Sequence, residues 1–203
     1  MKSIEAVIFD WGGVLIDNPA QAMAYYCAAA LDVDIEQYLR AFRKYDDDFI
    51  TGKINEDRFW LKVCYELGKE KPQVPSLWTL AFEAAYNQRE DMFNLAVILR
   101  ENGYLAAVLS NTEPPAAKLF YKNHYDKIFD AAIFSCNEGV KKPQLKIYDI
   151  TASKLSVLPA NCVFIDDDPQ NIDGAKKAGM NAILFKSVEQ IKMELSKLGI
   201  IPD

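Results

Sequence analysis

Histidine is almost missing from this chain: His124 is the only one in 203 residues. Serine–histidine–aspartate and cysteine–histidine mechanisms would have to run through it, yet it sits in the polar stretch 121–128 with no serine or cysteine beside it. The expectation for His124 is a surface or capping role at a helix end. Cysteine is also sparse. Cys27, Cys64, Cys136 and Cys162 are too scattered to build a CxxC redox pair or a zinc knuckle from neighbours, which reads as free thiols in a reducing cytosol and a cytoplasmic protein. There is no basic run. Lys and Arg total 23 against 29 Asp and Glu, a net charge of −6, which disfavours nucleic acid and anionic membranes as partners. The apolar stretch near the N-terminus is interrupted by Asp10 before it reaches signal-peptide length. No other stretch approaches the ~20 apolar residues of a membrane span. Internal repeats and low-complexity segments are lacking as well. Carboxylate, lysine and metal chemistry remain.

What is present begins with Ala6-Val-Ile-Phe-Asp-Trp-Gly-Gly-Val-Leu-Ile16. Apolar residues at 6–9 predict a buried parallel strand that delivers the Asp10 carboxylate into a turn, and the two glycines let the backbone bend sharply and approach a ligand closely. Further strand signals lie at 104–109, 131–134, 162–165 and 181–185, with helical patterns between the later ones. That alternation predicts an α/β protein with a Rossmann-like parallel sheet. From about 19 to 102 the pattern is helical, far more than a single crossover helix requires. The surplus predicts an inserted helical cap over 18–88, with 1–17 and 89–203 forming the α/β core and 89–102 returning as a core helix.

In an open parallel sheet the carboxyl ends of the strands share one crevice, so the polar clusters that follow the strands should converge. Ser110-Asn111-Thr112 offers hydroxyl, amide and backbone N–H groups suited to an oxyanion, and equally suited to the start of a helix over 114–123 with Pro114 and Pro115 in its first turn. In Gly139-Val-Lys-Lys-Pro143 the proline restricts the backbone of Lys142 and fixes its direction, whereas Lys141 reads as solvated. Asp166-Asp167-Asp168-Pro169-Gln170-Asn171 stacks three acids and an amide. Adjacent carboxylates repel unless a cation lies between them, and a hard divalent ion with oxygen ligands is the economical answer. Asp168, before Pro169, reads as the cap of a helix over 169–178. A nucleophile, an oxyanion holder, a cationic positioner and an acid pair together make the toolkit of phosphoryl transfer.

At this point the chain resembles the haloacid dehalogenase superfamily. The resemblance rests on four ordered motifs: Phe9-Asp10-Trp-Gly-Gly-Val-Leu15, then Leu109-Ser-Asn-Thr112, then Gly139-Val-Lys-Lys-Pro143, and last Val163-Phe-Ile-Asp-Asp167 through Asn171 with Ala178-Gly-Met180. The insertion resembles the small helical cap of the first subfamily, and the second and fourth motifs resemble the branch containing the bacterial α-glucose-1-phosphate phosphatase. The resemblance implies a phosphatase acting on a small phosphorylated metabolite, a sugar phosphate among the candidates, through an aspartyl-phosphate on Asp10. It also implies Mg²⁺ held by Asp10, the Gly12 carbonyl and Asp167 with Asp166 and Asn171 in support, phosphate held by Ser110 and Asn111, and charge stabilisation by Lys142. Most phosphatases of the family carry Asp where this chain has Gly12. The proton work of that group is worth about 10²–10⁴-fold, and a good leaving group or another proton source has to make up for it.

Two alternatives follow from Gly12. One is cleavage of a carbon–phosphorus or carbon–halogen bond, for which a phosphonoacetaldehyde-type route would need a Schiff-base lysine, with Lys44 and Lys53 as candidates. The other is a low-activity phosphate-binding module. Specificity is expected at Trp11, beside the nucleophile, and at Lys53 in the segment 45–53, read as a charged helix end and turn. The expected assembly is a monomer or a weak homodimer.

Overall fold

The computed structural model describes residues 4–201 and has an α/β, Rossmann-like architecture. Strands β1 (Ala6–Phe9), β2 (Leu105–Ser110), β3 (Ala131–Phe134), β4 (Cys162–Asp166) and β5 (Asn181–Leu184) form one parallel sheet in the order β3-β2-β1-β4-β5. The first strand is thus the central one. Side chains alternate across a strand: Val7 and Phe9 enter one hydrophobic cluster, Ala6 and Ile8 the other. With both faces covered, β1 has no polar side to present, which explains its unbroken apolar run.

Among the described residues the helices are α1 (Ala20–Ala30), α2 (Ile35–Phe42), α3 (Asp46–Ile50), α4 (Glu56–Leu67), α5 (Leu77–Ala85), α6 (Glu90–Glu101), α7 (Pro114–Lys122), α8 (Ser135–Glu138), α9 (Leu145–Leu155), α10 (Pro169–Lys177) and α11 (Val188–Lys197). Helices α9 and α10 cover one face of the sheet through Ile147, Tyr148, Ile172 and Ala175. On the other face, Phe93 of α6, Phe120 of α7 and Leu195 of α11 share a continuous cluster with Cys27 of α1, Tyr38 of α2, Phe49 of α3, Phe59 of α4 and Phe82 of α5. The five helices after β1 are therefore packed into the same core as the sheet.

Local signals account for most boundaries. Asp34 and Gln37 form a reciprocal capping box on α2, and Gly68 ends α4 in the left-handed region at φ 62°. Asp168 caps α10 by accepting from the Gln170 N–H, with Pro169 in the first turn, as its sequence position indicated. The helix after the Ser110 cluster starts at Pro114 as expected, with Glu113 rather than the Ser110 cluster at the cap position and no side-chain cap bond. The strand expected at 104–109 runs one residue later and the one at 181–185 stops at Leu184. The helices expected over 89–102, 114–123 and 169–178 are each trimmed at their ends. Segment 45–53 contains α3, where the expectation was only a helix end and turn. Helix α11 carries little sequence signal, since it buries only Ile191 and Leu195, one turn apart. His124 lies exposed just beyond α7, in a left-handed conformation at φ 60°.

Candidate active site

Register brings the polar clusters together. Phe9 pairs with Val108 on one side and Ile165 on the other, so the ends of β1, β2 and β4 are level. One residue further on, Asp10 stands beside Asp166. The Asp10 N–H donates to the Ile165 carbonyl at 2.8 Å, after which the chain leaves the sheet. The turn that follows is tight: the Trp11 carbonyl accepts from the N–H groups of Leu15 at 3.0 Å and Ile16 at 2.9 Å, and the Gly13 N–H donates to the Ile16 carbonyl at 2.8 Å.

Every hydrogen bond to the Asp10 carboxylate falls on one oxygen. Oδ1 accepts from the Trp11 N–H at 2.7 Å and from Lys142 Nζ at 2.7 Å, while Oδ2 has no partner among the described residues. Lys142 is 2% exposed and also pairs with Asp166 at 2.6 Å. Asp166, wholly buried, accepts in addition from the Asp168 N–H at 2.8 Å and from Asn171 Nδ2 at 3.1 and 3.2 Å. Burial pushes the Asp10 carboxyl up to about 7; the Lys142 ammonium opposes this and the Asp166 charge adds to it. For Lys142, burial works against the charged form, but Asp10 and Asp166 outweigh it and hold the ammonium above its ordinary value. Asp167 is raised, first by burial and then by Asp166.

Carboxylate oxygens of Asp10, Asp166 and Asp167 all lie within 4.8 Å of one another. One ammonium cannot balance three carboxylates, and an all-oxygen donor set suits a hard ion such as Mg²⁺. The loop is shaped to admit this cluster: a Cβ built on Gly13, at φ +91°, would lie 2.1 Å from Asp167 Oδ2. Only glycine leaves room for that carboxylate. The residues present fit the ion.

The expected phosphate holders take different tasks. Ser110 Oγ accepts from Thr112 Oγ1 at 2.7 Å, which leaves its own proton free to donate. The Asn111 amide, expected to bind phosphate, is engaged with the backbone of Lys142: Nδ2 donates to the Lys142 carbonyl at 3.0 Å and Oδ1 accepts the Lys142 N–H at 2.8 Å. Its side chain fixes the lysine loop. Asp10, Trp11, Gly12, Ser110, Asn111, Lys142, Asp167 and Asn171 line a single cavity of about 470 Å³, whereas Asp166 sits behind Lys142. Trp11 is 2% exposed and held by the rings of Phe82, Phe120 and Phe134, so it serves as a wall of the cavity.

Lys53 does not line the cavity; it ion-pairs on the surface with Asp47 at 3.7 Å and Asp48 at 3.5 Å. Lys44 pairs with Glu66 at 2.5 Å, also outside the lining. Neither candidate Schiff-base lysine reaches the site, because each is held by acids of its own neighbourhood.

Two contributors escaped the sequence reading. Arg89, just ahead of α6, donates to the Gly13 and Val14 carbonyls and pairs with Asp17 at 2.9 Å, clamping the loop after Asp10. A cation at a helix N-terminus opposes the helix dipole, and that was the available signal. Ser135 accepts from the Thr112 N–H at 2.9 Å and donates to the Ile50 carbonyl at 2.7 Å, tying α3 to the strand ends. Nothing local marks it.

Known proteins resemble this chain along its whole length. A phosphatase of Mycobacterium tuberculosis is 28% identical over 99% of this chain and 98% of its own. Acyl-CoA dehydrogenase family member 10 of Mus musculus is 28% identical over 97% of this chain, which spans only 19% of that protein. Among solved structures, an enzyme from Bacteroides thetaiotaomicron in complex with magnesium and inorganic phosphate superposes with a TM-score of 0.77 at 21% identity, over 91% of this chain and 95% of the other. No helix among the described residues is long and apolar enough to cross a membrane. The model of the haloacid dehalogenase-like hydrolases matches residues 4–179, and with the site assembled above the chain belongs to that family of hydrolytic enzymes.

Proposed function

We propose that this hydrolase is a Mg²⁺-dependent phosphatase that cleaves the phosphomonoester of a small metabolite through an aspartyl-phosphate on Asp10. The observation that carries this reading is the asymmetry of the Asp10 carboxylate, with Oδ1 tied to Trp11 N–H and Lys142 and Oδ2 left for phosphorus. The phosphatase relative from Mycobacterium tuberculosis supports it. Asp10, the Gly12 carbonyl and Asp167 would hold Mg²⁺, with Asp166 and Asn171 bracing the surroundings. When bound, the ion offsets negative charge on the transferring group.

Oδ2 of Asp10 attacks phosphorus as the bond to the alcohol oxygen breaks. The departing alkoxide takes its proton from water, since Gly12 offers none. A second water then attacks the aspartyl-phosphate, loses its proton to solvent, and releases inorganic phosphate with the Asp10 carboxylate restored. Lys142 stabilises the nucleophile and the equatorial oxygens, Ser110 donates to one of those oxygens, and Asn111 keeps the lysine in place. The helices of 18–88 act as the cap that closes the crevice over the substrate.

The test is turnover of para-nitrophenyl phosphate and a panel of metabolite phosphates with and without Mg²⁺, for the wild type and Asp10→Asn. The expected result is activity that needs Mg²⁺ and falls at least ~10³-fold in the variant. Activity that is indifferent to chelation, or that survives Asp10→Asn, overturns the proposal.

A further inference from the structure

The cavity is divided by chemistry. At the strand ends its wall carries Asp10, Ser110, Lys142 and Asp167; opposite them, α1, α2, α3 and α5 contribute Met23, Leu39, Phe42, Ile50, Trp78 and Phe82. Lys142 is the only cation in the lining among the described residues, and Asp10 and Asp166 already engage it. The charged groups nearer the apolar half are acids, Asp46 and Glu113. Lys141, the nearest loop cation, is drawn away to Asp47 at 2.8 Å. Burial pushes the Glu113 carboxyl up to about 7, with Asp46 adding to the rise and Lys141 opposing it.

We infer that the group leaving with the alcohol oxygen is an apolar alkyl or aryl body that carries no second anion. A carboxylate or second phosphate there would lose its hydration, meet two acids and find no free cation, a burial that nothing offsets. A polyhydroxylated sugar fares little better. Along that half only Asp46, Glu113, Tyr38 and the Trp78 indole N–H could bond its hydroxyls, and each further hydroxyl buried without a partner costs ~1–3 kcal/mol. An apolar body has only to displace water from six hydrophobic side chains. This inference rests on the phosphatase reading for the reaction, but the shape and charge of the cavity can be measured without turnover.

The experiment measures binding to the Mg²⁺-loaded full chain of two non-hydrolysable phosphonates of equal length, hexylphosphonate and 5-carboxypentylphosphonate, with 2,3-dihydroxypropylphosphonate as a polar control. Hexylphosphonate is expected to bind at least about tenfold tighter than either. Leu39→Lys, which adds a cation to the apolar wall at a partly exposed position, should narrow or reverse the gap against the carboxylated ligand. Glu113→Gln, which removes one acid and cannot create a cavity, should narrow it by a smaller factor. Equal affinities for the three ligands, or tighter binding of the charged or hydroxylated one by the wild type, overturns the inference. Parallel turnover of para-nitrophenyl phosphate reads the catalytic proposal separately, so a protein that binds hexylphosphonate selectively but hydrolyses nothing contradicts only the phosphatase reading.

Discussion

At Lys142 one buried ammonium is shared by Asp10 and Asp166, and the consequences reach every other residue of the site. Asp166 holds the lysine from behind, the Asn111 amide holds its backbone, and Asp10 is left with a single uncommitted oxygen. Gly12 is the other decisive residue. A Cβ there would meet only Pro19 Cδ, at 3.4 Å, and its backbone lies outside the left-handed region. Gly12→Asp should therefore be tolerated by the fold and should raise kcat on alkyl phosphates by about tenfold or more while leaving para-nitrophenyl phosphate, which needs no proton, little changed. Equal effects on both substrates would show that the new carboxyl does no proton work. Glu113 gives a pH signature. Its carboxyl rises from an ordinary 4.5 to about 7 on folding, so between those values the folded chain binds more protons than the unfolded one, and stability falls as pH climbs through that window. Glu113→Gln should remove this loss and gain on the wild type by roughly 1–3 kcal/mol between pH 5 and pH 8, read from urea midpoints. A difference independent of pH would contradict it. At this scale Asp10 and Asp166 were legible because each stands at the end of a strand, where chain direction delivers a side chain to the crevice, and Lys142 because Pro143 restricts its backbone. Arg89 and Ser135 were not, since their partners lie far away in sequence.

Among the elements, the seam between α3 and α8 ties the helices of 18–88 to the strand ends beside the crevice. Ser135 bonds the Ile50 carbonyl, and two residues on Gly52 passes so close to α8 that an added Cβ would lie 2.1 Å from the Cys136 carbonyl oxygen. With φ +70°, Gly52 is doubly intolerant of a side chain. Gly52→Ala should lift α3 from the core, destabilise the fold by about 1–3 kcal/mol and raise KM more than it lowers kcat. A variant with wild-type stability and KM would show that the seam does not position the cap. Within the cap, Glu56 gathers the Trp60 indole N–H at 3.0 Å, Ser76 Oγ at 2.9 Å and the Trp78 N–H at 2.9 Å, binding α4 to the start of α5. The helices themselves were legible from their period. The seam was not, because a glycine that reads as helix punctuation is in fact a close approach between segments some eighty residues apart.

In the whole molecule the chain's first strand lies at the centre of the sheet, and one hydrophobic cluster runs from Val7 and Phe9 into the helices of the cap. The helices of 18–88 hold an aromatic nucleus of Phe42, Phe49, Phe59, Trp60 and Trp78 that is continuous with the cluster on the sheet, so the two pack as one. Unfolding in urea should be a single transition, coincident by far-UV circular dichroism and by the fluorescence of Trp11, Trp60 and Trp78; two resolved transitions would separate the parts. Architecture was the most legible level, since an apolar strand followed by a reactive residue recurs along the chain, whereas the shared core depends on which helix faces meet. The same arrangement leaves one oxygen of Asp10, just beyond the central strand, without a hydrogen bond, and the proposed function requires that oxygen to form a bond to phosphorus. The direct measurement is acid quenching during turnover of para-nitrophenyl phosphate with Mg²⁺, followed by mass spectrometry of the peptides. The account predicts one phosphoryl group on the peptide containing Asp10, absent in Asp10→Asn. A phosphoryl group on another residue, or steady turnover by Asp10→Asn with none trapped, would contradict it.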